Sequence, residues 1–373
     1  MKVILKAGII ALVFIGAIMI LLFLKGDSLS GKKIHKMIFL ENAYDWQGCA
    51  VKSCRFEGNS VILLNASEPA ELATQPISSG FPFDELILSW NASEPDSLEA
   101  LEFNVEVSSD KKDWYNFAYQ IWGAAIEGKW HNSGKVEYEG IGKMHTDYLV
   151  LDKPMNYARV NVRALGESGA RDIELRRLSL SFSSKNSTWK QANINTEKAP
   201  SFECVKLAVP YFSQRNLPPE ISGSCCSPTS VSMVLDYYEK NIDSEKFARL
   251  AYDSRGQIYG NWPHNMAAAY LCGMGKTWVE SHSSFDEIYN EVRWGKPVII
   301  SIAYGLNELP HSPIREAPEG HLICVIGFNG PDTVICNDPA GHNVEDGVIN
   351  YPRHELEKIW ITHGGIAYHL WPN

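Results

Sequence analysis

The sequence predicts a multidomain protein: an all-β sandwich of jelly-roll or galactose-binding type, then a mixed α+β domain, behind an apolar N-terminal segment. Three observations predict this. Apolar and polar residues alternate with a period near two through about 37–182, a polar stretch at 183–201 breaks the pattern, and a 3.6-residue period begins beyond it. A length of 373 residues suits two domains of roughly 100–200 residues each. With 45% hydrophobic and 21% charged residues, the chain is neither disordered nor a small disulfide scaffold. Lys and Arg total 34 against 44 Asp and Glu, a formal charge of −10, with no basic block. Nucleic-acid binding needs phosphate neutralisation, so no nucleic-acid partner is expected.

Residues 1–30 contain Lys2 and Lys6 and then 18 uninterrupted apolar residues, 7–24. That run is long for a cleaved signal and just spans a hydrocarbon core of about 30 Å. A retained membrane anchor is expected, with cleavage after Ser30 as the alternative. Either way the bulk of the chain is expected outside the cytoplasm, anchored or secreted. Of the eight cysteines, Cys49 and Cys54 are close enough for a local disulfide in an oxidising compartment. No cysteine or histidine spacing suggests a metal site, and no cofactor is expected.

In 37–182 the alternation is clearest at 86–90, 101–107, 157–162 and 173–182, separated by turn-rich clusters. Trp114, Tyr115, Tyr119, Trp122 and Trp130 offer a sugar-stacking face for carbohydrate or cell-wall contact, or else simply pack the core. Sequons stand at Asn65, Asn91 and Asn186. Residues 183–204 read as the linker to the domain 205–373. There, 231–238 carries an amphipathic helix pattern, with further helices at 244–251, 264–271 and 284–293. Ser284 and Glu287 have capping-box spacing. Strands are expected at 297–303, 322–328, 333–336 and 366–370. His264, His311 and His342 read as surface residues.

The informative stretch is Ser224-Cys225-Cys226-Ser227-Pro228-Thr229-Ser230. Pro228 suits a first helical turn, which places Cys226 at a helix N-terminus, where the dipole and free N–H groups favour thiolate. A thiolate nucleophile needs a base and a group to orient that base. His321 opens an apolar strand after Gly320, whose lack of a side chain leaves room for substrate. If the next strand returns as a hairpin, Asp338 arrives beside His321 and can hold its tautomer. Gln214 offers an amide that, with the Cys226 backbone N–H, would make an oxyanion hole. Asn261 and Trp262 either line a substrate cleft or form a structural turn before a helix.

These residues fall within six blocks in one order: Val209-Pro210-Tyr211-Phe212-Ser213-Gln214, then 226–230, Gly260-Asn261-Trp262-Pro263, Gly295-Lys296-Pro297-Val298, 320–327 and Asn337-Asp338-Pro339. Over about 165 residues the pattern resembles the C39-like peptidase family of papain-fold cysteine peptidases. The resemblance implies a papain-like fold, with Cys226 as nucleophile, His321 as base, Asp338 as orienter and Gln214 as oxyanion donor. The implied activity is hydrolysis of a peptide or isopeptide bond in a peptide or protein substrate. A transpeptidase using the same thioester, and a non-catalytic glycan-binding surface protein, are the alternatives. Ser227 stands where the family has Gly, a change expected to affect substrate access. Cys225 leaves open a vicinal disulfide or a shared thiolate. The chain has no Walker motif, so the transporter role of the family's bacteriocin exporters does not carry over. Less specifically, 83–86 and 89–92 resemble a sandwich found before such domains in some exported members.

Overall fold

The computed structural model describes residues 33–65, 68–95, 99–123, 134–166, 171–185 and 201–373. The expected anchor 1–30, Trp130, Asn186 and most of the linker 183–204 lie outside the described residues. Among the described residues, no helix is long and apolar enough to cross a membrane.

The N-terminal part is strand-rich, with twelve strands in one nearly closed sheet. Two long strands organise it. Leu149–Gly166 pairs near its start with Ile77–Ala92 and along its second half with Glu99–Ser108, with register shifts between Val150 and Tyr157 that redirect it. Ile173–Ser184 pairs with Ile77–Ala92 on one side and with Ile34–Leu40 on the other.

Simple alternation predicts that the polar residues of Ile77–Ala92 face water, yet Phe83 through Ala92 is buried throughout. The outer face is covered by the second domain, whose helix Trp262–Leu271 and strand Lys276–Ser281 pack directly on it. Ser89, Asn91 and Ser181 bond across this seam. Val279 N–H donates to Ser89 Oγ (3.2 Å), and Ser281 N–H donates to Ser181 Oγ (3.0 Å). Asn91 donates to Thr277 O and Oγ1 (3.0 and 2.7 Å). Asn91 is therefore sealed in and unavailable as a glycan acceptor. One apolar cluster runs continuously from Leu88 and Trp90 into Met266 and Ala269.

Of the five aromatic residues, those described mostly pack inward. Tyr119 and Trp122 are buried, and half-buried Trp114 lies under Arg159, 3.9 Å from the guanidinium carbon. Cys49 and Cys54 remain free thiols, and Cys54 bonds instead to the Lys52 and Glu71 carbonyls. His264 is not a surface residue: it lies buried edge-on to Trp90 and Trp122, and burial pushes it down to about 4 against the pull of Asp253.

The second domain is built on a seven-stranded antiparallel sheet ordered Lys276–Ser281, Ile366–Trp371, Val298–Ile302, His321–Phe328, Thr333–Asn337, Val348–Pro352, with Val205–Lys206 on His321–Phe328. Both faces are covered, so its central strands are buried throughout rather than alternating. Ile299, Leu322 and Cys324 face the helices Cys226–Tyr237 and Trp262–Leu271. Ile300, Ile323 and Val325 face Phe285–Arg293 and Arg353–Thr362.

Candidate active site

The helix Cys226–Tyr237 starts at the expected cysteine, after Cys225 leaves the helical conformation. Ser227 through Leu235 is buried, so the helix is not amphipathic as its apolar spacing suggests. It runs through the domain centre, and its small hydroxyl residues allow close approach. Ser230 Oγ donates to Leu322 O (3.0 Å), and Ser232 Oγ bonds back to Pro228 O (2.8 Å). Ser227 turns inward to the Tyr368 hydroxyl (3.0 Å), so its side chain does not reach substrate space. Cys225 packs with Ile221 and Ala248 as a free thiol, and burial pushes it up to about 12. Cys226 is half-buried and opens on the cleft.

His321 is the first residue of His321–Phe328, and the register Cys324↔Asn337 makes the next strand return beside it. His321 Nε2 lies 2.8 Å from Asp338 Oδ1, with both side chains buried. This leaves Nδ1 for the Cys226 thiol, and the charges of the two groups favour one another. Burial opposes charge on both groups, but the pairing outweighs it. Cys226 is held below the ordinary thiol range, and His321 is raised well above that of a free imidazole by Asp338 and Cys226.

The structure adds two braces not anticipated from the sequence. Tyr351 Oη donates to Asp338 Oδ2 (2.9 Å), and Ala340 N–H donates to Oδ1 (3.0 Å). Tyr211 Oη donates to the Asp338 and Gly341 carbonyls (3.0 and 2.8 Å). A Cβ at Gly347 would fall 2.0 Å from the Tyr211 ring, which explains a glycine there.

Gln214 sits on a single 3-10 turn tied by its N–H to Pro339 O (2.9 Å). Its amide donates to Ser222 O at 2.8 Å, just upstream of Cys226. Asn261 does not line the cleft. It is fully buried as the cap of Trp262–Leu271, accepting from His264 N–H (3.2 Å) and donating to Asp253 (2.8 Å). Trp262 and Gly320 do line it, and a Cβ at Gly320 would meet open space.

The cleft at Cys226 has a volume of about 940 Å³ and is walled by both domains. The N-terminal sheet contributes Glu85, Asp147, Tyr148 and Lys185. Tyr148 stacks on Trp262 (centroids 5.5 Å apart, 13° between planes), and Asp147 Oδ1 accepts the Trp262 N–H at 2.8 Å. Burial raises the Asp147 carboxyl to about 7 despite that bond.

A helix-start thiol paired with a buried histidine that a carboxylate orients is the layout of cysteine-based acyl transfer. Residues 206–368 match the family described as Peptidase_C39 like family, and the chain thus carries a C39-like cysteine peptidase domain, a hydrolase domain, in its C-terminal half. Among solved structures, a chain described as a C39-like peptidase from Bacillus anthracis is similar at 20% identity and a TM-score of 0.36, covering 46% of this chain and 98% of that one. A double glycine motif protease from an AMS/PCAT transporter, in complex with the leader peptide, gives 21% identity, a TM-score of 0.30 and coverages of 46% and 99%. The peptidase domain of Streptococcus ComA gives 16%, 0.30, 46% and 99%. No curated protein matches the chain.

Proposed function

We propose that this chain is an extracytoplasmic cysteine peptidase that hydrolyses a peptide or isopeptide bond with Cys226, His321 and Asp338. The observation that carries this reading is the buried His321–Asp338 pair, with the helix-start Cys226 thiol coupled to His321, opening on a cleft large enough for several residues of peptide. The Cys226 thiolate attacks the scissile carbonyl, and the developing oxyanion is met by the Cys226 N–H and the Gln214 amide. Gln214 can serve while bonded to Ser222, because a primary amide has a second N–H. His321 protonates the leaving amine and then deprotonates the water that hydrolyses the thioester. Asp338 keeps the imidazole oriented throughout.

The N-terminal sheet, which we read as a jelly-roll-type sandwich, supplies one wall of the substrate cleft. Support comes from the stacking of Tyr148 on Trp262. The placement outside the cytoplasm rests on the apolar segment 7–24. The test is turnover of a peptide library by the full-length chain, with products read by mass spectrometry. Cleavage is expected from the parent and not from Cys226→Ala or His321→Ala, and equal turnover by Cys226→Ala would refute the mechanism.

A further inference from the structure

Away from the Cys226 cleft, three histidines and three glutamates meet where the strand Ile34–Leu40 lies against the second domain: His35, His282, His369, Glu280, Glu287 and Glu291. Sequence spacing alone did not suggest the grouping, because the residues come from separate segments. Glu287, expected in a capping box with Ser284, instead turns toward His282 and His35.

The arrangement of His282 and His369 sets the problem. Both are buried, and their Nε2 atoms face each other at 2.9 Å. The other nitrogen of each ring has a carboxylate beside it. His282 Nδ1 lies 2.7 Å from Glu287 Oε2, and His369 Nδ1 lies 2.9 Å from Glu291 Oε1. An ionised carboxylate only accepts, so each neutral ring carries its proton on Nδ1. With both rings neutral, the two Nε2 atoms oppose one another as lone pairs in a buried site. A positive centre between them removes the repulsion.

Glu280 completes a donor set. One ligand atom from each of Glu280, His282 and His369 lies within 4.8 Å of the other two. Strand pairing explains the convergence: Trp278 stands opposite His369, and Glu280 is two residues further along the same strand face. The Glu280 carboxylate is itself oriented, accepting from Trp278 Nε1 at 2.9 Å. Trp371 Nε1 likewise donates to Glu291 Oε2 at 3.1 Å.

We propose that Glu280, His282 and His369 form a binding site for a divalent transition-metal cation of the zinc type at the seam between the two domains. Two imidazoles and one carboxylate are a donor set that zinc accepts. Carboxylates on the far nitrogens of both imidazoles are the support that metal-bound histidines ordinarily have, fixing tautomer and ring orientation. His35, from the N-terminal sheet, approaches both Glu287 (3.2 Å) and Glu280 (4.0 Å). An ion here therefore orders the edge against which Ile34–Leu40 packs, and acts on the joint between domains rather than on catalysis.

The test uses the untagged full-length chain carrying Cys226→Ala, so that the active-site thiol cannot bind metal. After chelator treatment it is titrated with Zn²⁺ by calorimetry and with Co²⁺ by visible absorption. The site predicts one ion per chain, low-coordinate Co²⁺ bands without a thiolate charge-transfer band, and a rise in melting temperature on Zn²⁺ addition. Adding His369→Gln or Glu280→Gln should abolish the bands, and Glu291→Gln should weaken Zn²⁺ roughly 10- to 100-fold. Absence of saturable Co²⁺ and Zn²⁺ binding by the Cys226→Ala chain overturns the proposal however the further variants fold, and assigns the space between the imidazoles to a proton. Equal binding by a folded His369→Gln variant overturns it as well.

Discussion

Replacing Tyr351 with Phe removes one hydroxyl and leaves the ring. In the structure that hydroxyl donates to Asp338 Oδ2 at 2.9 Å, and both side chains are fully buried. Hydrogen bonds to charged groups contribute about 1.5–3 kcal/mol, and here no water can replace the lost donor. The ring still fills its site, so no cavity is added. Stability should therefore fall by about 1.5–3 kcal/mol, or roughly 3–10 °C in melting temperature for a domain of this size. Urea unfolding followed by tryptophan fluorescence, with thermal melts alongside, measures this. Asp338 keeps its bonds to His321 and Ala340, so the variant should remain folded and titratable at Cys226. A loss under about 0.5 kcal/mol would refute the reasoning, because it would mean that Oδ2 does not depend on Tyr351 for its solvation.

Two further perturbations follow from the same physics. Asn91→Ala deletes the buried bonds to Thr277 that join the two domains, and at about 1 kcal/mol per bond it should destabilise by roughly 2–4 kcal/mol in urea titrations. Asp147→Asn keeps an acceptor for the Trp262 N–H and removes the carboxyl that burial raises to about 7. A carboxyl whose folded value lies above its unfolded value of about 3.9 contributes stability at low pH that is lost as pH rises through the folded value. The wild type should thus weaken relative to Asp147→Asn between about pH 4 and 7, and parallel pH–stability curves for the two would contradict this.

Much of the second domain was legible because its chemistry-bearing residues stand at element boundaries with strong local signals. Pro228 in a first turn marked the helix start that positions Cys226. The two apolar strands that bring Asp338 back to His321 appear as short apolar runs around the turn Asn329-Gly330-Pro331-Asp332. Asn261 was harder to read, because a helix-cap asparagine and a cleft-lining one look alike until the cap bond to His264 is seen. The helix Arg353–Thr362 gives only a weak signal although Leu356, Ile359 and Trp360 have helical spacing, since its first turn is almost wholly polar. The seam between domains was not legible. Ser89, Asn91 and Ser181 alternate with apolar neighbours as solvent-facing residues would, and only the arrival of Lys276–Ser281 makes that face interior. Tyr351 and the histidine–glutamate cluster were hidden for a similar reason, because each depends on contacts between distant segments.

The central claim is that His321 holds Cys226 as a thiolate. The most direct test is the rate of iodoacetamide labelling against pH on the full-length chain, with modified cysteines mapped by mass spectrometry. The account predicts fast labelling of Cys226 with a midpoint well below about 8.5, moving upward in His321→Ala as burial is left unopposed. Cys225, Cys324 and Cys336, whose thiols burial pushes up, should label slowly across the range. A Cys226 midpoint at or above about 8.5, unchanged in His321→Ala, would contradict it.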